Sequence, residues 1–305
     1  MTGFILRRLL EIIPVLLAVV TITFFLVRLA PGGPFDSEKR LEPKAQAQIE
    51  AFYRLDRPLH RQYLDYLWDA ARGDLGPSYR KTGRTVTEWV VLRLPVSMEL
   101  GLYALAVALA IGMGAGLLAA LRPNSLLDHG VMSAAMLGIC LPGFVLGPLL
   151  TLVFSLWMGW LPVAGWITPA HKILPAVTLG AMYAAYIARM TRGGMLETLS
   201  QDFIRTARAK GLTEARILLR HALRGGIQPV VAFLGPAMAG LFTGSFVVET
   251  IFQVPGLGRE FVEAAFNRDY TMVTGTVLVY AALVALLNLA ADLAQAWLDP
   301  RARGL

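Results

Sequence analysis

Long uncharged runs of apolar residues are the feature that most constrains the fold of this chain. Residues 100–121 include no Asp, Glu, Lys, Arg or His. At a rise of about 1.5 Å per residue, a helix of this length crosses a hydrocarbon layer of about 30 Å. Inside a bilayer the backbone must satisfy its own hydrogen bonds, and a single apolar run does so only as a helix. Residues 100–121 therefore predict a transmembrane helix.

Five further runs repeat this pattern, so the predicted fold class is an all-α polytopic membrane protein with six transmembrane helices. The composition agrees, because 56% of the residues are hydrophobic and only 16% are charged. Pro142 and Gly143 interrupt the third run and predict a break there. The predicted spans are residues 9–30, 100–121, 130–157, 173–188, 225–248 and 271–292.

The first run is interpreted as an uncleaved membrane helix and not as a signal peptide. Arg28 stands where small residues would permit cleavage. Arg7 and Arg8 precede the run, and basic residues beside a span stay in the cytoplasm. Six spans then place both termini in the cytoplasm.

Residues 35–95 form the longest predicted external segment. They carry eleven basic and nine acidic residues, a near balance that is typical of a solvated segment. Apolar residues at helical spacing, such as Ile49 with Phe52 and Tyr63 with Tyr66, predict short helices within it. The predicted parts are a tail and first span (1–30), an external segment with short helices (31–97), a five-helix core (98–299) and a cytoplasmic tail (300–305).

A polar island at residues 201–224 separates the fourth and fifth apolar runs. Ser200 is a candidate N-cap for a first short helix, and Gly211 is placed to end it as the C′ residue. Thr213 is a candidate cap for a second helix, in which Leu219 and Leu223 share one face. Two short amphipathic helices that meet at a glycine predict a docking element.

The charge of this region places it in the cytoplasm. Residues 189–224 hold eight Lys or Arg and three Asp or Glu, a net charge of +5. The positive-inside rule assigns such a loop to the cytoplasmic side. Charge alone leaves open whether the loop binds a partner or only lies near anionic lipid. Because this loop holds most of the net charge of +7, nucleic-acid binding is not predicted.

The sequence gives no sign of catalysis by this chain alone. It contains no Gly-Lys dipeptide, so a Walker A phosphate-binding loop is excluded. Its four histidines, including His221, lack companions at metal-ligand spacing, and no metal or other cofactor is predicted on this chain. Glu99, Glu249 and Asp292 lie at the ends of predicted spans, which argues against an intramembrane proton relay.

Several motifs carry a resemblance to a known family. RTARAKGL followed by RHALR resembles the cytoplasmic coupling loop of ABC-importer permeases. Ala207, Gly211 and Leu223 fit the broad superfamily pattern, whereas Arg205 and Thr206 replace its Glu and first Ala. These departures are typical of the dipeptide/oligopeptide permease branch. FILRR, LDRPLHRQYLDYL, VETIFQVPGLG, NRDY and LDPRAR extend the resemblance over nearly the whole chain.

This resemblance implies a type I ABC-importer permease fold in the inner membrane. It also implies a second homologous permease, two ABC ATPase subunits that hold ATP and Mg, an external substrate-binding protein and a peptide substrate. Dipeptide, glutathione and nickel-chelate permeases share the same motifs, so the substrate stays open. A gradient-driven transporter and a membrane scaffold or sensor subunit are the alternatives from other classes.

Two sets of site residues are predicted: the resemblance implies the first, and the second is a hypothesis for a segment that resembles a family signature. The ATPase-coupling set is Asp202, Arg205, Thr206, Ala207, Ala209, Lys210, Gly211, Leu212 and His221. The proposed external gate is Glu249, Pro255, Gly256 and Gly258, where Pro and Gly would permit a tight re-entrant turn. From the residues themselves, a plain turn is as good an interpretation as a gate.

Overall fold

The structure is a computed structural model that describes residues 2–30, 33–35, 43–81, 83–243 and 246–298. In these ranges the regular secondary structure is helical, and the only β pairing is an isolated bridge between Pro77 and Thr85. The predicted tail at 300–305 lies outside the described residues. The helices are Thr2–Leu29, Pro43–Phe52, Leu59–Ala71, Val86–Leu121, Leu126–Cys140, Gly143–Leu150, Thr151–Trp157, Pro169–Leu199, Asp202–Ala209, Glu214–Arg216, Ile217–Ala222, Leu223–Gly226, Gln228–Phe242, Phe246–Ile251, Leu257–Phe266 and Tyr270–Leu298.

Four single helices in the described ranges are long and apolar enough to cross a membrane. Two more spans result if each of two bent helix pairs counts as one, which gives the predicted six. The pair Leu126–Cys140 and Gly143–Trp157 bends by 111°, and the pair Glu214–Gly226 and Gln228–Phe242 bends by 50°. The first bend lies at Pro142, as predicted, because proline has no N–H to continue the helical hydrogen bonds.

Two spans extend well beyond the predicted hydrocarbon limits. The second begins at Val86, so Pro95 lies inside a helix and not in a loop, and the predicted boundary at residue 97 falls within this helix. The fourth continues past Ala188 to Leu199. Hydropathy marks only the part of a helix that lies in lipid, whereas backbone hydrogen bonding continues into the polar flanks.

The chain divides into two compact units. The first contains Met1–Ser97 and Pro255–Leu286, and the second contains Met98–Val254 and Leu287–Leu305. In the first unit, the two short helices predicted outside the membrane are present as Pro43–Phe52 and Leu59–Ala71.

One buried carboxylate organises the polar interior of the first unit. The side chain of Asp269 is almost fully buried and accepts a hydrogen bond from the hydroxyl of Ser78. It also accepts from the backbone N–H groups of Tyr79 and Met272, both at 3.2 Å, and from the hydroxyl of Thr271 at 3.0 Å. Because each of these donors is satisfied by one carboxylate, the 78–79 loop is fixed to the start of helix Tyr270–Leu298.

Glycines allow close helix packing in the second unit. A Cβ atom on Gly112 would lie 2.6 Å from the carbonyl oxygen of Ala184, and one on Gly116 would lie 2.5 Å from that of Ala188. Small residues four apart are typical of helix pairs that pack this closely in membranes. The backbones of helices Val86–Leu121 and Pro169–Leu199 are in direct contact at these positions.

Candidate functional site

The first short helix of the 201–224 segment is Asp202–Ala209, and its N-cap is Gln201. The prediction that Ser200 caps it is wrong. The long helix Pro169–Leu199 continues up to Ser200, whose hydroxyl donates to the carbonyl of Glu197 at 2.7 Å. The sequence could not show this, because Ser bonds equally well to a helix carbonyl or to a helix N-terminus.

Gly211 ends the first helix as predicted. Its φ of +76° lies in the left-handed region, where glycine carries no Cβ penalty. Its N–H donates to the carbonyl of Arg208 at 2.9 Å, and the N–H of Leu212 donates to that of Ala207 at 3.3 Å. This pair of bonds is the Schellman motif. Gly211 therefore sets the direction in which the chain enters the second helix.

The second helix contains one π-helical turn, Ile217–Ala222. Ile217 and Ala222, five residues apart, are buried, whereas Leu219 is 63% exposed. In this turn the buried positions are five residues apart, which is the spacing of a π turn, and Leu219 is exposed whereas Leu223 is half-buried. Thr213 is the N-cap residue, although its side chain makes no capping hydrogen bond.

Burial divides the nine predicted coupling residues into two groups. The buried side chain of Ala207 and the half-buried one of Leu212 pack onto a core cluster with Ile204 and Met195. The first helix turns Ala207 toward the protein, and Leu212, which follows this helix, is partly covered by the same cluster. The exposed residues are Asp202, Arg205, Thr206, Ala209, Lys210, Gly211 and His221.

The exposed surface of the segment is basic with apolar residues between the charges. Arg208 donates to both carboxylate oxygens of Glu214, at 2.7 and 3.2 Å, and this hydrogen bonding raises the pKa of Arg208. Within the part of the chain that the structure describes, Lys210, Arg216, Arg220 and Arg224 make no ion pair. Phe203 and Leu219 are also exposed. Such a mixture of cations and large apolar side chains is suited to a protein partner with an acidic surface.

The second helix lies directly against the fourth span. A Cβ atom on Gly194 would be 2.3 Å from the carbonyl oxygen of Gly226, so the two backbones touch where these glycines meet. Arg192, two residues earlier, donates from Nε and Nη2 to the two carboxylate oxygens of Asp128, each at 2.7 Å. The second helix and helix Pro169–Leu199 are therefore in direct backbone contact, as in a close-packed interior.

Of the predicted gate residues, Glu249 and Gly258 lie in two different helices, and Pro255 and Gly256 directly precede the second of these helices. In the second unit, Glu249 belongs to helix Phe246–Ile251 and is fully buried. The sequence placed Glu249 at the end of a span, whereas in the structure its side chain is buried because the chain remains helical and packed at this position. In the first unit, Gly256 is the N-cap of helix Leu257–Phe266, and Gly258 is buried in the first turn of that helix.

Two residues that sequence reasoning missed hold the start of helix Leu257–Phe266. The hydroxyl oxygen of Ser97 accepts a hydrogen bond from the N–H of Leu257 at 2.8 Å. Arg93 donates to the carbonyl of Pro255 at 3.3 Å, and its Nε lies 3.2 Å from the carboxylate of the buried Glu260. The partners are about 160 residues apart in sequence, so no local periodicity could reveal them.

We expect Ser97→Ala to lower the melting temperature of the purified protein by a few degrees. The substitution leaves the buried N–H of Leu257 without an acceptor, which costs about 1–3 kcal/mol. The measurement is thermal unfolding followed by tryptophan fluorescence in detergent. Ser200→Ala is the control, because the Ser200 hydroxyl is an exposed donor to a helix carbonyl. Equal melting temperatures for the two variants would contradict the role of Ser97.

No group of three or more His, Cys, Asp or Glu side chains suited to a metal ion occurs among the described residues. The features described above are those of a polytopic helical membrane protein with a surface-exposed helix pair packed against one of its spans. Two family descriptions match the chain: the N-terminal region of binding-protein-dependent transport system membrane components over residues 1–101, and the inner membrane component itself over residues 112–304. The chain belongs to this family of binding-protein-dependent transport system inner membrane components.

Curated relatives and one solved structure agree with this assignment. The chain is 46% identical to the oligopeptide transport system permease protein OppB of Haemophilus influenzae and 48% identical to that of Salmonella typhimurium, over 99% of this chain and 100% of each relative. It is 41% identical to the dipeptide transport system permease protein DppB of Bacillus subtilis, over 99% and 98%. A chain of the MetNI methionine ABC transporter superposes with a TM-score of 0.56 at 21% identity, over 67% of this chain and 93% of that chain.

Membership of this family settles the broad function. The protein has the ABC-transporter permease fold and is an inner-membrane transport component, not the ATPase. A binding-protein-dependent system requires an ATPase and a binding protein as partners. The gradient-driven and scaffold alternatives are therefore excluded.

Proposed function

We propose that this chain is the permease subunit of an oligopeptide importer and forms half of its translocation pathway. One observation supports the substrate class. The chain is 46–48% identical, over essentially its full length, to the oligopeptide permeases of Haemophilus influenzae, Salmonella typhimurium and Escherichia coli. The dipeptide permease of Bacillus subtilis and the di/tripeptide permease of Pseudomonas aeruginosa reach 41% and 39%. A dipeptide importer is the second candidate, because these relatives also match along their whole length.

The proposed assembly contains a second homologous permease, two ABC ATPase subunits and an external substrate-binding protein. Because the sequence has no phosphate-binding loop, ATP and Mg bind to the ATPase subunits. Both termini of this chain lie in the cytoplasm in this arrangement, and the 201–224 segment faces the ATPases.

Docking to the ATPase is assigned to the exposed face of the 201–224 segment. Asp202, Arg205, Thr206, Ala209, Lys210, Gly211 and His221 supply this face. Ala207 and Leu212 act from behind it, because they pack the first helix and the following turn onto the core cluster. Closure of the ATPases then moves the fourth span through the contact between Gly194 and Gly226.

A role in an external gate is proposed for Pro255, Gly256 and Gly258 in the first unit and for Glu249 in the second, each considered by itself. The bonds from Arg93 and Ser97 support this proposal, because they fix the backbone at Pro255 and Leu257 and would let the turn move as one body with helix Val86–Leu121. A turn that serves only to reverse the chain would tolerate small changes in its backbone angles.

Co-purification tests the proposed function. The chain is tagged, native membranes are solubilised in mild detergent, and the proteins that purify with it are identified by mass spectrometry. We expect a second permease and one or two ATPases. Recovery of the folded chain alone would overturn the proposed assembly. Stimulation of ATP hydrolysis by peptides of two to six residues, with the binding protein present, then separates an oligopeptide from a dipeptide importer.

A further inference from the structure

Helix Leu59–Ala71 of the first unit packs against the side of the first span. The hydroxyl of Tyr63 shares a hydrogen bond of 2.6 Å with that of Thr21, and the Tyr63 ring lies 5.5 Å from the ring of Phe25. Thr21 is eight residues before Leu29, the last residue of the span, which at about 1.5 Å per residue is about 12 Å from that end. Tyr63 therefore reaches well below the end of the span.

These contacts set the depth of the helix relative to the membrane. The first span has 24 residues and is about 36 Å long, so a hydrocarbon layer of about 30 Å leaves about 3 Å of helix in the headgroup region at each end. Thr21 then lies inside the hydrocarbon layer. Arg28, which donates to the side chain of Gln62 at 3.4 Å, lies at its boundary. Because the helix touches the span at both positions, its side chains occupy the layer where acyl chains meet headgroups.

The protein covers only part of the apolar surface of this helix. Four of its side chains pack in the cluster around Phe24 of the first span: Tyr63, Tyr66, Leu67 and Ala70. Leu64 and Trp68, one helical turn apart, are next to this set on the helix surface but are 59% and 61% exposed. In the first span, Ile22 and Leu26 are each 63% exposed at a similar depth. The uncovered part of the helix is thus continuous in character with the lipid-facing surface of the span.

Two cations accompany the exposed apolar residues. Arg61 and the C-cap residue Arg72 are eleven residues apart, about three helical turns, so they lie on the same side of the helix. The guanidinium of Arg72 lies 4.3 Å from the centre of the Trp68 ring. In the part of the chain that the structure describes, neither arginine forms an ion pair. The two aspartates of the helix already have arginine partners outside it, Asp65 with Arg57 at 2.7 Å and Asp69 with Arg54 at 3.4 Å.

This combination matches the chemistry of a phospholipid layer. Leucine fits the acyl region, and tryptophan is enriched at the boundary between hydrocarbon and headgroups. The planar fork of an arginine side chain binds phosphate with two hydrogen bonds, and its long apolar stem lets the charge reach the headgroups from below. Helices that lie in the membrane interface have this pattern of Leu and Trp beside basic residues. A protein partner at Leu64 and Trp68 would have to displace lipid to reach them.

We propose that helix Leu59–Ala71 is an interfacial helix that binds anionic phospholipid. Leu64 and Trp68 lie among the acyl chains, and Arg61 and Arg72 contact the headgroup phosphates. In the proposed topology the lipid belongs to the external leaflet. The helix thereby anchors the external segment to the membrane surface, a role that goes beyond peptide transport and does not depend on which substrate is carried.

Photocrosslinking in native membranes tests what covers the helix. The photoreactive p-benzoylphenylalanine is placed at Leu64 of the full chain in its assembly, and the peptide that holds this position is analysed by mass spectrometry after irradiation. We expect phospholipid adducts, at a yield at least about fivefold above that with the probe at Asp65 on the polar side. The probe at Leu26 of the first span is the positive control. Equal lipid yields at positions 64 and 65, or adducts with another protein in place of lipid at 64, would overturn the proposal.

The headgroups of the adducts test the two arginines. The assembly with the probe at Leu64 is reconstituted in liposomes of phosphatidylethanolamine and phosphatidylglycerol, and the mass of each adduct identifies its lipid. We expect phosphatidylglycerol to be enriched at least about threefold over its bulk share. Arg61→Gln combined with Arg72→Gln should reduce the adducts to the bulk ratio.

Arg54→Gln combined with Arg57→Gln is the matched control for the loss of two positive charges. These arginines are held by Asp69 and Asp65, so their replacement should leave most of the enrichment. An equal loss of enrichment in both double variants, or no enrichment with all four arginines present, would overturn the assignment of phosphate to Arg61 and Arg72.

Discussion

Gly211→Leu is expected to abolish the stimulation of ATP hydrolysis by substrate while the protein still inserts into the membrane. A Cβ atom on Gly211 would meet no atom of the chain within 4 Å, and the residue is exposed, so the new side chain projects outward from the 201–224 segment. If this surface docks into an ATPase groove, a leucine here holds the two subunits apart. We expect a loss of at least about tenfold in stimulated hydrolysis, equivalent to about 1.4 kcal/mol or more of docking energy. The measurement is ATP hydrolysis by the reconstituted complex with and without binding protein and peptide.

The left-handed backbone at Gly211 requires its own control. Any L-residue at a φ of +76° costs about 1–2 kcal/mol, whatever it touches. Gly211→Ala introduces nearly the same backbone strain with a much smaller side chain, so it should keep most of the stimulation. Gly159→Leu places leucine at a φ of +66°, also in open space, in a different turn of the second unit. If Gly211→Leu kept full stimulation, or if Gly211→Ala lost as much as Gly211→Leu, docking at this surface would be contradicted.

The sequence allowed accurate prediction of features that depend on neighbouring residues. The length of the apolar runs predicted the membrane spans, and Pro142 predicted the break in the third span. Gly211 predicted the end of the first short helix. Each of these follows from the physics of a few consecutive residues: the thickness of the bilayer, the missing N–H of proline and the missing Cβ of glycine.

Features that depend on distant contacts could not be predicted. From sequence, Arg93 and Ser97 were predicted to be parts of a polar external segment. In the structure they form hydrogen bonds with the start of a helix about 160 residues later in the chain. The exposure of Leu219 depends on a π turn, which has no reliable sequence signal. The division of the coupling residues into an exposed and a buried group depends on how the first short helix rests on Met195, which again lies outside its own sequence.

Gly194→Ala is expected to uncouple ATP hydrolysis from transport by forcing the second short helix away from the fourth span. The added methyl group would lie 2.3 Å from the carbonyl oxygen of Gly226, whereas ordinary contacts begin at 3.4 Å, so the two backbones must separate by about 1 Å. Overpacking of this kind costs about 1–3 kcal/mol, against a helix-propensity gain of about 1 kcal/mol. Because the opposing atom belongs to the backbone, no side-chain rotation relieves the contact. We expect peptide uptake to fall at least about tenfold, measured in proteoliposomes together with ATP hydrolysis.

Gly193→Ala is the matched control, since this neighbouring residue lies in the same helix, is exposed and has no atom within 4 Å of an added Cβ. It gains helix propensity without a steric cost and should leave uptake unchanged or the protein slightly more stable. A transmission role for the Gly194 and Gly226 contact requires that the two alanine variants differ in uptake while their ATPase subunits stay bound. If both variants transported peptide at the normal rate, the motion of the ATPases would have to reach the spans by another route. The bidentate ion pair between Arg192 and Asp128 is the next contact along the same helix.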